Sequence, residues 1–77
     1  MKKNKVAIAG LGRIGKIHLE NLLQVNEVDV VAAMDVYPES LQFASQKGVN
    51  NLYTSYHEMI QKVSIDSIVI CSPTDTH

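Results

Sequence analysis

Apolar residues along this chain fall into short continuous runs, spaced by stretches whose apolar positions recur at helical intervals. Lys5–Ala9 (KVAIA) is apolar, rich in β-branching and free of polar alternation, the pattern of a strand buried on both faces. The run stops at Gly10. From Arg13 to Val25 the spacing of Ile14, Ile17, Leu22 and Val25 predicts a helix with one apolar face. Asp29–Met34 (DVVAAM) reads as a second buried strand, ending at Asp35. Pro38 suits the first turn of a helix, where its missing N–H leaves nothing unpaired. Leu41, Ala44 and Ser45 are expected on the buried side of that helix, and Gly48 supplies the left-handed residue that ends it. Asn51–Thr54 is a weaker third strand. Ser55 and Glu58 form an S-x-x-E capping box at the start of a third helix, whose apolar face is expected to carry Met59, Ile60 and Val63. Ile65–Cys71 (IDSIVIC) reads as a fourth strand, closed by Ser72 and Pro73.

The predicted order is β-α-β-α-β-α-β. The strands are too far apart in sequence for hairpins, so helical crossovers must join them in parallel and with right-handed connections. This is an α/β fold with no visible repeat, linker or low-complexity segment, and residues 1–77 read as one unit.

The first strand-to-helix junction carries a motif. Gly10-Leu11-Gly12-Arg13-Ile14-Gly15 is G-x-G-x-x-G. The pattern alone is weak, but here it follows a predicted buried strand and opens a predicted helix, as dinucleotide binding requires. Gly10 permits the tight turn, Gly12 lets backbone approach a pyrophosphate, and Gly15 lets the helix pack closely. Phosphates at that helix N-terminus meet unpaired N–H groups and the positive end of the macrodipole. Asp35 stands about 20 residues past the last glycine, where a carboxylate accepts hydrogen bonds from the adenosine ribose. Val36 and Tyr37 after it offer no arginine for the 2′-phosphate of NADP, so the expected cofactor is NAD. Together these features predict a partial Rossmann fold, a parallel sheet of four strands in the order 3-2-1-4. The alternative is a glycine-rich turn that only packs a strand on a helix, with Asp35 an ordinary turn residue.

Other candidates carry less. Arg13 is placed either to donate charged hydrogen bonds to a phosphate or to sit solvated on the first helical turn. Ser72, Pro73 and Thr74 follow the fourth strand, expected beside the first, so they are placed to touch the cofactor or to form a plain turn. His57 is expected in solvent on the third helix, His18 packed or partly exposed on the first, and His77 closes the sequence. Cys71 reads as a small hydrophobe at a strand end. Neither a nucleophile–base pair nor a metal site emerges.

Charge and length narrow the field. The formal net charge of -1 lacks the basic stripe of a nucleic-acid binder. Lys2, Lys3 and Lys5 precede an apolar run at Val6–Leu11, but that run is short and broken by Gly10, so neither a secretory signal nor a membrane span is expected. The single cysteine excludes an internal disulfide and, with no signal, points to the reducing cytoplasm. A chain of 77 residues buries only roughly 60% of its unfolded surface, so its core is expected to be marginal. In the order 3-2-1-4 the apolar fourth strand lies at an edge, which predicts self-association, a homo-oligomer or aggregate formed through that strand.

Over essentially its whole length the chain resembles the N-terminal NAD-binding segment of the Gfo/Idh/MocA oxidoreductases, in particular inositol 2-dehydrogenase-like members. The resemblance rests on KVAIAGLGRIGKIHLENL, VVAAMDVYPE, LYTSYHEMI and IDSIVICSPTDTH, the last being the more selective through Pro73, Thr74 and His77. It implies hydride transfer between NAD(H) and a hydroxyl carbon of a sugar, inositol or related polyol. It also implies that the turn of Ser72, Pro73 and Thr74, with His77, lies beside the nicotinamide half. The family's catalytic lysine, in an E-K-P motif, and its substrate-binding domain come later than the sequence given. The 77 residues are therefore expected to be the first part of a dinucleotide-binding domain, to meet a polyol only within a longer protein, and to catalyse no turnover alone. The competing expectation is a stand-alone NAD-binding or sensing module.

Overall fold

The computed structural model describes residues 3–71. Its elements are β1 (Asn4–Ala9), α1 (Arg13–Leu23), β2 (Val28–Met34), a 3-10 turn (Pro38–Ser40), α2 (Leu41–Gln46), β3 (Asn51–Tyr53), α3 (Tyr56–Lys62) and β4 (Ser67–Ile70). The strands pair in parallel in the order β3-β2-β1-β4, the order expected of the partial Rossmann fold. Ala9 lies level with Met34 on one side and Ile70 on the other, so β1, β2 and β4 end along one common edge.

The sheet is covered on both faces because consecutive strand residues point in opposite directions. Ile8 and Ala33 pack on one face with Leu19 of α1 and with Leu41 and Ala44 of α2. Ala7 and Ala32 pack on the other with Met59 of α3. Alanine at these central positions keeps the covering helices close to the sheet. Two polar clips fix strand starts: the Lys5 N–H donates to Asp66 Oδ2 at 2.9 Å, and Asn51 Nδ2 donates to the Val31 carbonyl at 2.8 Å.

Helix ends follow local chemistry. Gly48 has φ +94°, with its N–H on the Ser45 carbonyl and the Val49 N–H on the Ala44 carbonyl, a Schellman closure of α2. Ser55 Oγ accepts the Glu58 N–H at 3.2 Å, one half of the expected capping box. The Glu58 carboxylate is 3.5 Å from Lys62 Nζ, one turn along α3.

Three expected helix faces differ in detail. Ile14 and Ile17 are 48% and 50% exposed and Val25 is exposed, while Gly15 and Leu19 are buried. Gly15 is pressed against the turn beneath it, and at about 100° per residue this rotates Ile14 and Ile17 outward. In α2, Ser45 is exposed and Phe43 is half-buried on the core; in α3, Met59 is buried and Ile60 is exposed.

Candidate functional site

At the common edge the chain turns from β1 into α1 through Gly10–Gly12, and neighbouring main chain holds that turn on two sides. The Gly10 N–H donates to the Met34 carbonyl at 2.8 Å, and the Cys71 N–H donates to the Ala9 carbonyl at 2.8 Å. Gly10 has φ +103°, and a Cβ there would overlap the Cys71 carbonyl oxygen. A Cβ at Gly15 would overlap the Gly10 carbonyl oxygen. Glycine at both positions is therefore a packing requirement: Cys71 just past β4, the turn and α1 stack through main-chain contacts that leave no room for a further Cβ.

Gly12 is different. It caps α1 in an extended conformation, and a Cβ there would meet no atom within 4 Å. The fold does not need glycine at this position; a body approaching the backbone from outside would. α1 has no side-chain cap and no acid in its first turn, so its first N–H groups and the positive end of its dipole are left to an incoming anion.

Asp35, 8% exposed, is the one charged residue in the core of the described residues. Its Oδ2 accepts the Leu11 N–H at 2.6 Å and its Oδ1 accepts the Tyr37 N–H at 2.9 Å. A carboxylate has about four acceptor positions, so two remain after these bonds.

These parts face a cleft of about 820 Å³, within the usual range of roughly 300–1,000 Å³ for small-molecule sites. It brings Gly10, Gly12, Arg13, Ile14, Gly15 and Asp35 together, as the motif predicts. Arg13 is the one cation among the described lining residues, and it is exposed. Val36 and Tyr37, 63% and 62% exposed, join the wall beyond Asp35. Ser40, Tyr56 and Ile70 also line it, and sequence reasoning missed all three. For Tyr56 the signal was present: the Ser55 cap starts α3 just past the end of β3, at the strand edge that forms the cleft.

Cys71 also lines the cleft, half-buried, and burial pushes its thiol above the ordinary value. Ser72, Pro73, Thr74 and His77 lie outside the described residues. His18 and His57 are exposed and away from the cleft lining. Among the described residues no group of three His, Cys, Asp or Glu side chains is placed to hold a metal, and no helix is long and apolar enough to cross a membrane.

The chain matches known proteins over the same parts. The family model for the Gfo/Idh/MocA oxidoreductases, described as an oxidoreductase family with an NAD-binding Rossmann fold, matches residues 4–77. Myo-inositol 2-dehydrogenase of Thermotoga maritima is 38% identical across 95% of this chain and 22% of its own length. Myo-inositol 2-dehydrogenase of Lactobacillus plantarum superposes with a TM-score of 0.88 at 39% identity, over 95% of this chain and 22% of that one. Scyllo-inositol dehydrogenase of Lactobacillus casei, solved with NAD(H) and scyllo-inositol bound, superposes with a TM-score of 0.87 at 36% identity, over 94% of this chain and 22% of that one. The chain thus spans about a fifth of the length of the relatives it matches.

Proposed function

This chain belongs to the Gfo/Idh/MocA oxidoreductase family, as the part that carries its NAD-binding Rossmann fold, and on that premise we propose that it holds NAD(H) for hydride transfer to and from a hydroxyl carbon of inositol or a related polyol or sugar. The observation that carries the reading is Gly12: an open Cβ position at the uncapped start of α1, facing the cleft beside Asp35. There the backbone N–H groups of Arg13, Ile14 and Gly15 receive the pyrophosphate, and Gly10 keeps the turn low enough for it to approach. Asp35 offers its two remaining acceptor positions to the two adenosine ribose hydroxyls. Arg13, the one cation among the described lining residues, adds charge-assisted hydrogen bonds to a phosphate. Ser72, Pro73, Thr74 and His77, which follow β4, attend the nicotinamide half. Bound NAD+ supplies the hydride acceptor; these residues bind and orient it.

Substrate choice and proton transfer belong to the whole protein, of which this segment's counterpart is 22% in the inositol dehydrogenases it resembles. We assign residues 1–77 to the N-terminal part of the dinucleotide-binding domain, with cofactor binding and no turnover by these residues alone. The free thiol of Cys71 suits a reducing cytoplasm.

An amide-resolved NMR titration with NAD+, repeated with NADP+, tests the reading. Shifts at Gly10–Gly15 and Asp35 that favour NAD+ are the expected result. A dispersed spectrum that responds to neither nucleotide overturns it.

A further inference from the structure

Asp35 does something in this structure that ribose recognition does not require. Its Oδ2 accepts the Leu11 N–H, in the middle of the glycine turn, from 24 positions along the chain. Three contacts meet at that turn. The Gly10 N–H is tied to the Met34 carbonyl, the Leu11 N–H to the Asp35 carboxylate, and the Leu11 side chain is fully buried under α1. Beyond Leu11 nothing presses on Gly12, whose Cβ position is open. The carboxylate bond is thus the last side-chain contact on the turn before the Gly12 carbonyl accepts the Lys16 N–H at 2.9 Å and α1 begins. An N–H bound to an ionised oxygen is held more tightly than one bound to a neutral partner.

We propose that Asp35 is also a positioning residue for the phosphate-binding turn, acting through the Leu11 N–H, so that one carboxylate both receives the ribose and shapes the pyrophosphate seat. The proposal rests on the NAD(H) reading above. It assigns Asp35 a share in binding the half of the cofactor that it does not touch.

The two tasks separate by deleting the ribose hydroxyls and the carboxylate independently. Affinities are measured for NAD+ and for an NAD+ analogue whose adenosine half is 2′,3′-dideoxy, with the natural chain and with Asp35→Ala. If Asp35 only received the ribose, the analogue would bind both proteins equally. The expected result is that Asp35→Ala weakens the analogue as well, by about tenfold, the loss of a hydrogen bond to a charged group. Equal affinity of the analogue for both proteins overturns the proposal. A natural chain that binds neither ligand defeats the NAD(H) reading instead. A chain assembled with the α-hydroxy analogue of leucine at position 11 covers the case in which Asp35→Ala does not fold. It replaces the Leu11 N–H with an ester oxygen and keeps the carboxylate and every side chain. Weakening of both ligands supports the positioning role, and unchanged affinities overturn it.

Discussion

Asp35 Oδ2 and the Leu11 N–H meet at 2.6 Å, joining the end of β2 to the turn that follows β1. The bond is buried, so removing the acceptor strands a donor away from water. Asp35→Ala is expected to destabilise the fold by about 1–3 kcal/mol, read as a lower denaturant midpoint at unchanged slope.

The glycines of the motif separate into two kinds. Gly10→Ala and Gly15→Ala each force a Cβ into a carbonyl oxygen, and Gly10 adds a positive φ. Each is expected to cost about 3 kcal/mol or more of stability. Gly12→Ala meets empty space and should leave the midpoint within about 0.5 kcal/mol, while lowering NAD+ affinity at least about tenfold through lost close approach. Paired calorimetric titrations and denaturation curves check both halves. A Gly12→Ala chain that binds NAD+ normally would remove the support for placing the pyrophosphate there.

The rotation of α1 makes a second contrast. Leu19 is buried and Ile17 is exposed. Leu19→Ala is expected to cost about 2–5 kcal/mol, and Ile17→Lys less than about 0.5 kcal/mol. Thermal unfolding of the two variants measures it, and the reverse ranking would mean that α1 is turned the other way.

Much of this architecture is legible in the sequence, because a strand buried on both faces has to be a short apolar run. KVAIA and DVVAAM stand out for that reason; IDSIVIC shows the same pattern although β4 is an edge strand with no buried residue, and the distances between the runs leave only parallel crossovers. The motif glycines and Asp35 fall where their spacing puts them. The face of α1 is not legible, since a hydrophobic count treats Gly15 as a gap when it is the closest contact the helix makes. Ile70 is hidden for another reason: it reaches the cleft from a separate element, and only the sheet order brings the end of β4 beside the turn that follows β1. The Leu11–Asp35 bond is a backbone donor meeting a side chain, and no residue pattern announces it.

Burial raises the Cys71 thiol above its ordinary value of 9.0. Less thiolate is then present at a given pH, so alkylation by iodoacetamide at pH 8 should run slower than for a free cysteine in the unfolded chain. For an acid whose folded pKa is raised, the stabilisation is complete below the unfolded value and declines as the pH rises through the folded one. Denaturation midpoints should therefore fall above about pH 9, and Cys71→Ser should flatten that fall.

Strand β4 pairs on one side with β1, and Ile70 at its end is 68% exposed. An apolar edge of this kind invites another strand. The 77-residue chain is expected to self-associate as its concentration rises, and Ile70→Lys to shift it toward monomer. Light scattering across a concentration series decides, and a natural chain that stays monomeric throughout would discount the edge.

Where the segment just past β4, the glycine turn and α1 stack, the tightest contacts are main chain against main chain, with the Cys71 Cβ beside Gly15. Such a joint has little side chain to adjust and accepts almost no substitution at its glycines, so mutational drift there is nearly closed. Val36 and Tyr37 line the cleft beyond Asp35 with most of their surface in solvent, and the core does not use their side chains. On the NAD(H) reading, substitutions at those two positions are expected to change nucleotide preference while leaving the folding midpoint nearly unchanged.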